Sequence, residues 1–109
     1  MSLQTLRKQP SEVHDADVRF DKYFSDDATQ GDYIVSAVVT VEPAGLVLGP
    51  TPRPIYSIIP GPIDGIAAHA VKVWYGGGTS GVSYKITVLA TTNAGRIEEE
   101  DFTVRVQAV

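Results

Sequence analysis

The chain has 109 residues, the size of one compact domain and too short for two. Nine basic and thirteen acidic residues give a formal net charge of −4, which argues against nucleic acid or an anionic membrane surface as the main partner. The absence of cysteine excludes disulfides and thiolate chemistry, and no apolar run approaches the ~20 residues of a membrane span. The polar segment from Met1 to Glu12 lacks the apolar core of a signal peptide, so we expect a protein made in a cytosol.

Acidic residues and prolines are both clustered along the chain. Eleven of the thirteen acids lie either within residues 12–32 or in the run Glu98–Asp101. We expect residues 1–16 to form a polar N-terminal arm that is ordered only in an assembly, because this segment buries little apolar surface. Six of the seven prolines lie between Pro43 and Pro62. Proline lacks the donor that a helix or a central strand needs, so we predict a stiff, proline-rich loop at residues 50–65.

Most of the remaining chain alternates apolar and polar residues with the period of a strand. The predicted strands are Asp17–Asp21, Tyr33–Val41, Ile55–Ile59, Ile66–Tyr75, Ser83–Thr91 and Asp101–Gln107. The alternation in the last of these predicts one face in water. The segments Gly76–Gly81 and Asn93–Arg96 are typical of hairpin turns, and the only helical candidate is a single turn near Asp21–Phe24. We therefore predict an all-β fold, with residues 17–109 forming one immunoglobulin-like β-sandwich of about seven short antiparallel strands.

Three motifs suggest chemistry but have simpler structural interpretations. Gly76-x-Gly78-x-x-Gly81 matches a dinucleotide-binding fingerprint, yet a strand rather than a helix is expected after it, so we interpret it as a turn. His14-Asp15-x-Asp17 contains metal-ligand types, but we interpret it as an acidic surface or an electrostatic docking patch, because acidic loops are common. His69 has no nucleophile to partner and is interpreted as a hydrogen-bonded strand histidine. We predict no enzyme activity, no cofactor and no metal site.

Trp74 is the main candidate for a contact with another protein. Strict alternation places it on the face of Lys72, opposite Tyr75, where it either packs against the protein itself or anchors a partner. The proline-rich loop is a second candidate, because a stiff segment loses little entropy on docking. The candidate contact residues are Trp74, Tyr75, Pro52, Arg53, Pro54, Ile55 and Tyr56.

A second group of residues is assigned to turns. Tyr84 begins a strand directly after the glycine-rich segment, and we expect its hydroxyl to bond to a nearby backbone group. The candidate turn residues are Gly76, Gly77, Gly78, Gly81, Tyr84 and Gly95.

The C-terminal half carries a pattern that extends beyond its strands. It runs from Val71 through Trp74-Tyr75-Gly76-Gly77-Gly78-Thr79-Ser80-Gly81 and a Tyr84-led strand to Thr91-Thr92-Asn93-Ala94-Gly95-Arg96. Lys8-x-Pro10, Asp17-x-x-Phe20-Asp21 and Gly31-Asp32-x-Ile34 add to it in the N-terminal half. These segments resemble the phage fiber–tail adaptor proteins, which are small tail-associated structural proteins of bacteriophages. The chain differs from that pattern in its long proline-rich segment and in its ending Gln107-Ala108-Val109.

The resemblance implies a non-enzymatic virion component, assembled in the bacterial host cytoplasm, that joins tail fibres or other tail proteins to the tail. Its implied partners are other phage structural proteins and copies of itself in a symmetric assembly, with no nucleic acid and no membrane. Two alternatives stay open. One is a head–tail connector or capsid decoration protein of a phage. The other is an immunoglobulin-like module that binds carbohydrate or a cell surface through aromatic side chains such as Trp74.

Overall fold

The computed structural model describes residues 2–24, 31–59 and 68–108. Within these ranges the chain forms eight strands and one 3-10 turn, Asp21–Phe24, with no α-helix. The all-β prediction is therefore confirmed. The strands are β1 (Ser2–Lys8), β2 (Val13–Arg19), β3 (Ile34–Glu42), β4 (Leu46–Leu48), β5 (Tyr56–Ile59), β6 (Ala70–Gly77), β7 (Ser83–Thr92) and β8 (Ile97–Val106).

The strands form two sheets. The first sheet has the order β1-β8-β7-β3, and the second has the order β2-β6-β4 with β5 also paired to β6. Every pairing is antiparallel except that of β1 with β8, which is parallel. The expectation of about seven antiparallel strands was wrong on this point, because the parallel strand comes from a segment that carries no clear apolar alternation.

The N-terminal residues belong to the sheets instead of forming a separate arm over residues 1–16. β1 runs beside β8 with Lys8 opposite Val106, and β2 pairs with β6 with Val13 opposite Gly76. The boundary drawn after residue 16 thus runs through β2. Sequence reasoning missed β1 for two reasons. Its partner β8 lies at the other end of the chain, and the two strands pair through backbone hydrogen bonds, which polar side chains do not prevent.

The hydrophobic core lies between the facing sides of the two sheets. Residues two apart along β6, β7 and β8 share a face, so their apolar positions line the core while the intervening positions point outward. Fully burying one aliphatic or aromatic side chain contributes about 1.5–3 kcal/mol. The core side chains from these strands, each at most 1% exposed, are Val71, Val73, Tyr75, Tyr84, Ile86, Val88, Ala90, Phe102, Val104 and Val106.

The glycine-rich segment Gly76–Gly81 is not the predicted hairpin. It links β6 in the second sheet to β7 in the first, so it carries the chain from one sheet to the other. Gly78 has φ 94°, and a Cβ built there would lie 2.7 Å from Cγ2 of Val106, so both its conformation and its close contact require glycine. Sequence patterns missed this because they locate strands without revealing which sheet each strand joins.

Two other turn predictions agree with the structure. Asn93–Arg96 joins the paired strands β7 and β8 as a hairpin, closed by a 2.8 Å hydrogen bond from the Thr92 N–H to the Arg96 carbonyl. The Tyr84 hydroxyl accepts a 2.9 Å hydrogen bond from the Thr79 N–H, so it fixes the link between the sheets. No helix in the part of the chain described here is long and apolar enough to cross a membrane.

The last strand does not have the fully solvated outer face that its alternation predicts. Phe102 and its neighbours face the core, but Glu100 and Asp101 are also buried, at 2% and 1% exposed. Glu100 forms a 2.5 Å ion pair with Lys22 and accepts a 3.1 Å hydrogen bond from the Tyr23 hydroxyl. The acidic run Glu98–Asp101 is thus in part an internal anchor for the 3-10 turn.

Candidate partner interface

The edge of the second sheet is interrupted opposite Trp74. β4 pairs with residues 75–77 of β6 and β5 pairs with residues 70–73, so the segment 49–55 between them leaves the sheet beside Trp74. Both backbone groups of Trp74 bond to the ends of this segment. The Gly49 N–H donates to the Trp74 carbonyl over 2.9 Å, and the Trp74 N–H donates to the Ile55 carbonyl over 3.3 Å. The segment is thus anchored to β6 at its two ends.

The shape of the segment 49–55 depends on a glycine at one end and on prolines within it. Gly49 has φ 63°, and a Cβ there would lie 2.6 Å from the backbone nitrogen of Ile55, so the two ends approach more closely than any other residue permits. The Arg53 N–H donates a 2.8 Å hydrogen bond to the Pro50 carbonyl and closes a reverse turn. Because Pro50, Pro52 and Pro54 restrict φ, this loop has few alternative conformations.

The loop places Arg53 over the Trp74 ring. The guanidinium carbon lies 4.5 Å from the ring centroid, within the range of a cation–π contact. Trp74 is half-buried, whereas Pro52, Arg53, Pro54 and Ile55 are exposed. We call these five residues the Arg53–Trp74 surface. It presents a planar cation, an aromatic ring and apolar proline and isoleucine side chains on one rigid support.

A charged group borders this surface. Asp15 on β2 lies opposite Trp74, and Asp17 lies opposite Lys72. The Lys72 ammonium is 2.7 Å from Asp15 Oδ2 and 3.1 Å from Asp17 Oδ1, and it lies 5.9 Å from the Trp74 ring centroid. Hydrogen bonds from the two carboxylates raise the pKa of Lys72. Lys72 therefore stays protonated, and its positive charge is compensated within the sheet by the two carboxylates.

The seven predicted contact residues do not all lie at the surface. Trp74 shares a face with Lys72, as alternation predicts, and contacts Arg53. Tyr75, by contrast, is 1% exposed, and Tyr56 is half-buried with its side chain against the core. Burial, aided by the Asp15 charge, raises the pKa of Tyr75 to about 12. Tyr75 therefore lies on the core side of β6. Tyr56 lies on β5 opposite Val73 of β6, and part of its side chain stays exposed.

Sequence reasoning missed Gly49, Lys72 and the acidic residues of β2 as parts of this site. Alternation places Lys72 beside Trp74, which was the one available signal. The contribution of Asp15 and Asp17 depends on β2 pairing with β6, for which the sequence carries no local sign. No cluster of three or more metal-ligand side chains occurs in residues 2–24, 31–59 and 68–108. Residues 60–65 of the predicted proline-rich loop lie outside the described residues, as do Asp26 and Asp27 of the acidic segment 12–32.

The remaining candidate turn residues lie at the end of β6, in the link to β7 and in the hairpin between β7 and β8. Gly77, Gly81 and Gly95 have positive φ angles of 66°, 91° and 91°. A Cβ built on Gly76 would lie 3.1 Å from Pro50 and from Val13, so this position lets the loop and β2 approach β6. All six residues thus have turn or close-packing roles.

His69 lies immediately before β6, away from the Arg53–Trp74 surface. Its ring stacks on Phe24 with a centroid separation of 4.1 Å, and its Nε2 is 3.2 Å from the Asp32 carbonyl oxygen. Its Nδ1 lies 3.8 Å from the Asp21 carboxylate. The histidine therefore packs the 3-10 turn against the start of β3, which agrees with a hydrogen-bonded structural role.

These features define a β-rich module with a surface that combines a cation, an aromatic ring and apolar side chains on a loop anchored at both ends. The family model of the podophage GP4 fiber-tail adaptor protein gp77 matches residues 8–105. The chain belongs to this family, which confirms the resemblance seen in its sequence. No curated protein matches the chain. Membership supports a structural role in a phage tail and implies a component of the virion.

Proposed function

We propose that this protein is a non-enzymatic adaptor that joins tail fibres or other tail proteins to the phage tail, and that the Arg53–Trp74 surface contacts one of them. The observation that carries this proposal is the guanidinium of Arg53, held 4.5 Å from the Trp74 ring by a loop whose two ends are bonded to β6. Family membership supports the general role, and the surface supports the site.

The surface has the properties of an interface hot spot. Tryptophan and arginine are the residue types most often responsible for interface energy, and little order is lost on binding when they are already fixed. The contact with the Trp74 ring is made through the π electrons and not through a hydrogen-bond acceptor, so the guanidinium N–H donors can still bind a carboxylate. Among the described residues, no acidic side chain forms an ion pair with Arg53. We propose that the partner supplies an aspartate or glutamate here.

We also infer that the two sheets form an immunoglobulin-like sandwich. Its support is the strand order. β2-β6-β5 corresponds to strands B-E-D of that fold, and β3-β7-β8 corresponds to C-F-G. A tyrosine near the start of strand F that bonds back to the preceding backbone is a further hallmark, and Tyr84 makes that bond to Thr79. Such a fold supplies a rigid support for contact loops and needs no catalytic group.

The carbohydrate-binding alternative has less support. A sugar-binding platform needs a bare aromatic face, but Arg53 covers the Trp74 ring and Tyr75 is buried. The tail role and the connector or decoration role predict different positions of the protein on the phage particle. Antibody labelling of intact virions in the electron microscope should place the protein on the tail, whereas label on the head or neck would replace the tail proposal with a connector or decoration role.

The contact surface is tested with the purified phage tail and fibre proteins, immobilised one at a time. We expect Arg53→Ala to weaken binding to one of them by about tenfold or more, equivalent to about 1.4 kcal/mol. Arg7→Ala, which removes an exposed arginine from the first sheet, is the matched control and should bind normally. If Arg53→Ala binds every tail protein as tightly as the unmodified chain, the proposed surface is wrong even where labelling places the protein on the tail.

A further inference from the structure

The outer edge of β3 is open in the described structure. β3 is the last strand of the first sheet, and no strand within residues 2–24, 31–59 and 68–108 pairs with its other edge. It is nine residues long and rich in valine, and its only ionisable residue is Glu42 at the end. Val38 is 58% exposed and Val35 is 45% exposed. A long, neutral, β-branched edge is a template for pairing with another strand.

The other edges of the two sheets are protected. β2 carries Asp15 and Asp17 on its exposed face, and charges are a common means of blocking strand addition. The β4–β5 edge is broken by the proline loop at residues 49–55. β1 carries the exposed charge of Arg7 near its end. β3 has none of these features between Ser36 and Val41, and its one irregularity lies before Ser36.

We propose that β3 pairs antiparallel with β3 of a second copy of this chain, about a two-fold axis at Val38. This register places Ser36 opposite Thr40 of the second copy and Ala37 opposite its Val39. Each pair therefore matches hydroxyl with hydroxyl or aliphatic with aliphatic, which are favourable cross-strand combinations. Glu42 lies opposite Ile34 of the second copy, so the seam contains no pair of like charges.

The absence of like charges favours a second copy as the occupant. With a net charge of −4, two copies repel each other at long range, so a self-contact must use a neutral part of the surface. β3 is such a part, and its sequence is complementary to itself. On its outer face Val38 lies beside Leu89 of β7. Pairing across the axis joins the Val38–Leu89 rows of both copies into one apolar strip over a continuous eight-stranded sheet.

The self-association is tested by sedimentation equilibrium of the full chain over a wide concentration range. We expect a monomer–dimer equilibrium that Val38→Lys weakens at least about tenfold, because two lysines then face each other at the axis. Val47→Lys is the matched control, since Val47 is 49% exposed on β4 in the other sheet and should leave the equilibrium unchanged. Thermal unfolding of both variants checks that they fold.

Two further measurements separate edge pairing from other contacts. Amide hydrogen exchange should become slower in β3 as concentration rises, and in no other edge strand. Ile97→Lys alters the exposed outer face of the same sheet away from the seam, so the dimer should survive it. A chain that stays monomeric, a dimer indifferent to Val38→Lys, or a dimer lost with Ile97→Lys would each overturn the proposal. Protection of β3 by a tail protein alone would assign the edge to that partner instead.

Discussion

The ammonium of Lys8 donates a 2.6 Å hydrogen bond to the carbonyl of Gly77 and so ties the end of β1 to the segment that links the sheets. Lys8 is 3% exposed, and the same nitrogen donates to the carbonyls of Gln9 at 2.5 Å and Pro10 at 3.4 Å. All three ammonium donors therefore have acceptors within the protein. Burial lowers the pKa of Lys8, against the opposing charge of Glu12.

Replacing this ammonium should destabilise the fold. Lys8→Met keeps a similar length but leaves the Gly77 and Gln9 carbonyls without their charged donor, at a cost of about 2–3 kcal/mol in the free energy of unfolding. Urea denaturation followed by tryptophan fluorescence measures the loss. Arg7→Met, an exposed neighbour on the same strand, is the control, and equal effects of the two substitutions would contradict a special role for Lys8.

The loop beneath the Arg53–Trp74 surface should fail when Gly49 gains a side chain. Gly49→Ala places a Cβ against the backbone of Ile55 at a φ of 63°, so we expect a loss of about 1–3 kcal/mol in stability. The cation–π contact should also loosen and change the fluorescence of Trp74. Gly31→Ala is the control, because a Cβ there meets nothing within 4 Å. A Gly49 variant as stable as the Gly31 variant would show that the loop adapts freely.

Asp32 should make the protein acid-sensitive. Burial opposes its ionisation, but hydrogen bonds from Thr92, Tyr33 and Ala94 and the charge of Arg96 outweigh burial and lower the pKa of Asp32 below its ordinary value of 3.8. The folded state therefore favours the carboxylate. Its contribution is present above a pH of about 3.8, the unfolded value, and is lost as the pH falls through the lower folded pKa.

Asp32→Asn tests this pH dependence. Near neutral pH we expect the variant to be less stable by about 1–3 kcal/mol, because the amide cannot accept hydrogen bonds from all the donors around it. The difference in free energy of unfolding between the native chain and the variant should narrow as the pH falls below about 4. There the native carboxyl group takes up a proton and becomes uncharged like the amide. Denaturant titrations across the acid range give both curves, and a constant difference between them would exclude the proposed linkage.

Tyr75 should control stability at alkaline pH. Burial raises its pKa from 10.0 to about 12, so the folded chain keeps a proton that the unfolded chain releases in this window. Tyr75 therefore lowers stability with rising pH between these values, by up to about 1.4 kcal/mol per pH unit. Tyr75→Phe should flatten this decline, and the exposed Tyr33→Phe should not. An unchanged slope in Tyr75→Phe would place the alkaline sensitivity elsewhere.

β1 should be ordered in the isolated chain. Its pairing with β8 and the buried Lys8 predict slow amide hydrogen exchange from Thr5 to Lys8. The rates that the same amides would have in an unstructured chain supply the reference. Exchange from Thr5 to Lys8 at those rates would restore the view that the N-terminal residues become ordered only in an assembly.

Local patterns in the sequence predicted most strands but not their arrangement. The central residues of β3, β6 and β7 were predicted from β-branched residues that recur with period two. Such a pattern is local, because the face on which a side chain lies depends only on its position in the strand. The parallel partner of β8 and the crossing at Gly78 depend on contacts between distant segments. Glu100 shows the same limit, since its burial depends on Lys22 and Tyr23, which lie far away in the chain.

The candidate site likewise has features that local sequence patterns predict and features that depend on contacts between distant residues. Alternation placed Trp74 and Lys72 on the same face of their strand, and proline content identified the stiff loop. The stacking of Arg53 on Trp74 depends on how Gly49 and Ile55 close the loop, which no periodicity encodes. Tyr75 and Tyr56 were included because aromatic residues are common at interfaces, but the same residues are also good core material, and here the core position prevails.

The parallel pairing of β1 with β8 has a mechanical consequence. A force that pulls the N-terminal end of β1 and the C-terminal end of β8 in opposite directions, both parallel to the strands, shears the two strands past each other. All the hydrogen bonds between them then bear the load together, whereas a force at right angles to the strands would break them one after another. β1 is therefore held more strongly against a pull along the strands than against a pull across them.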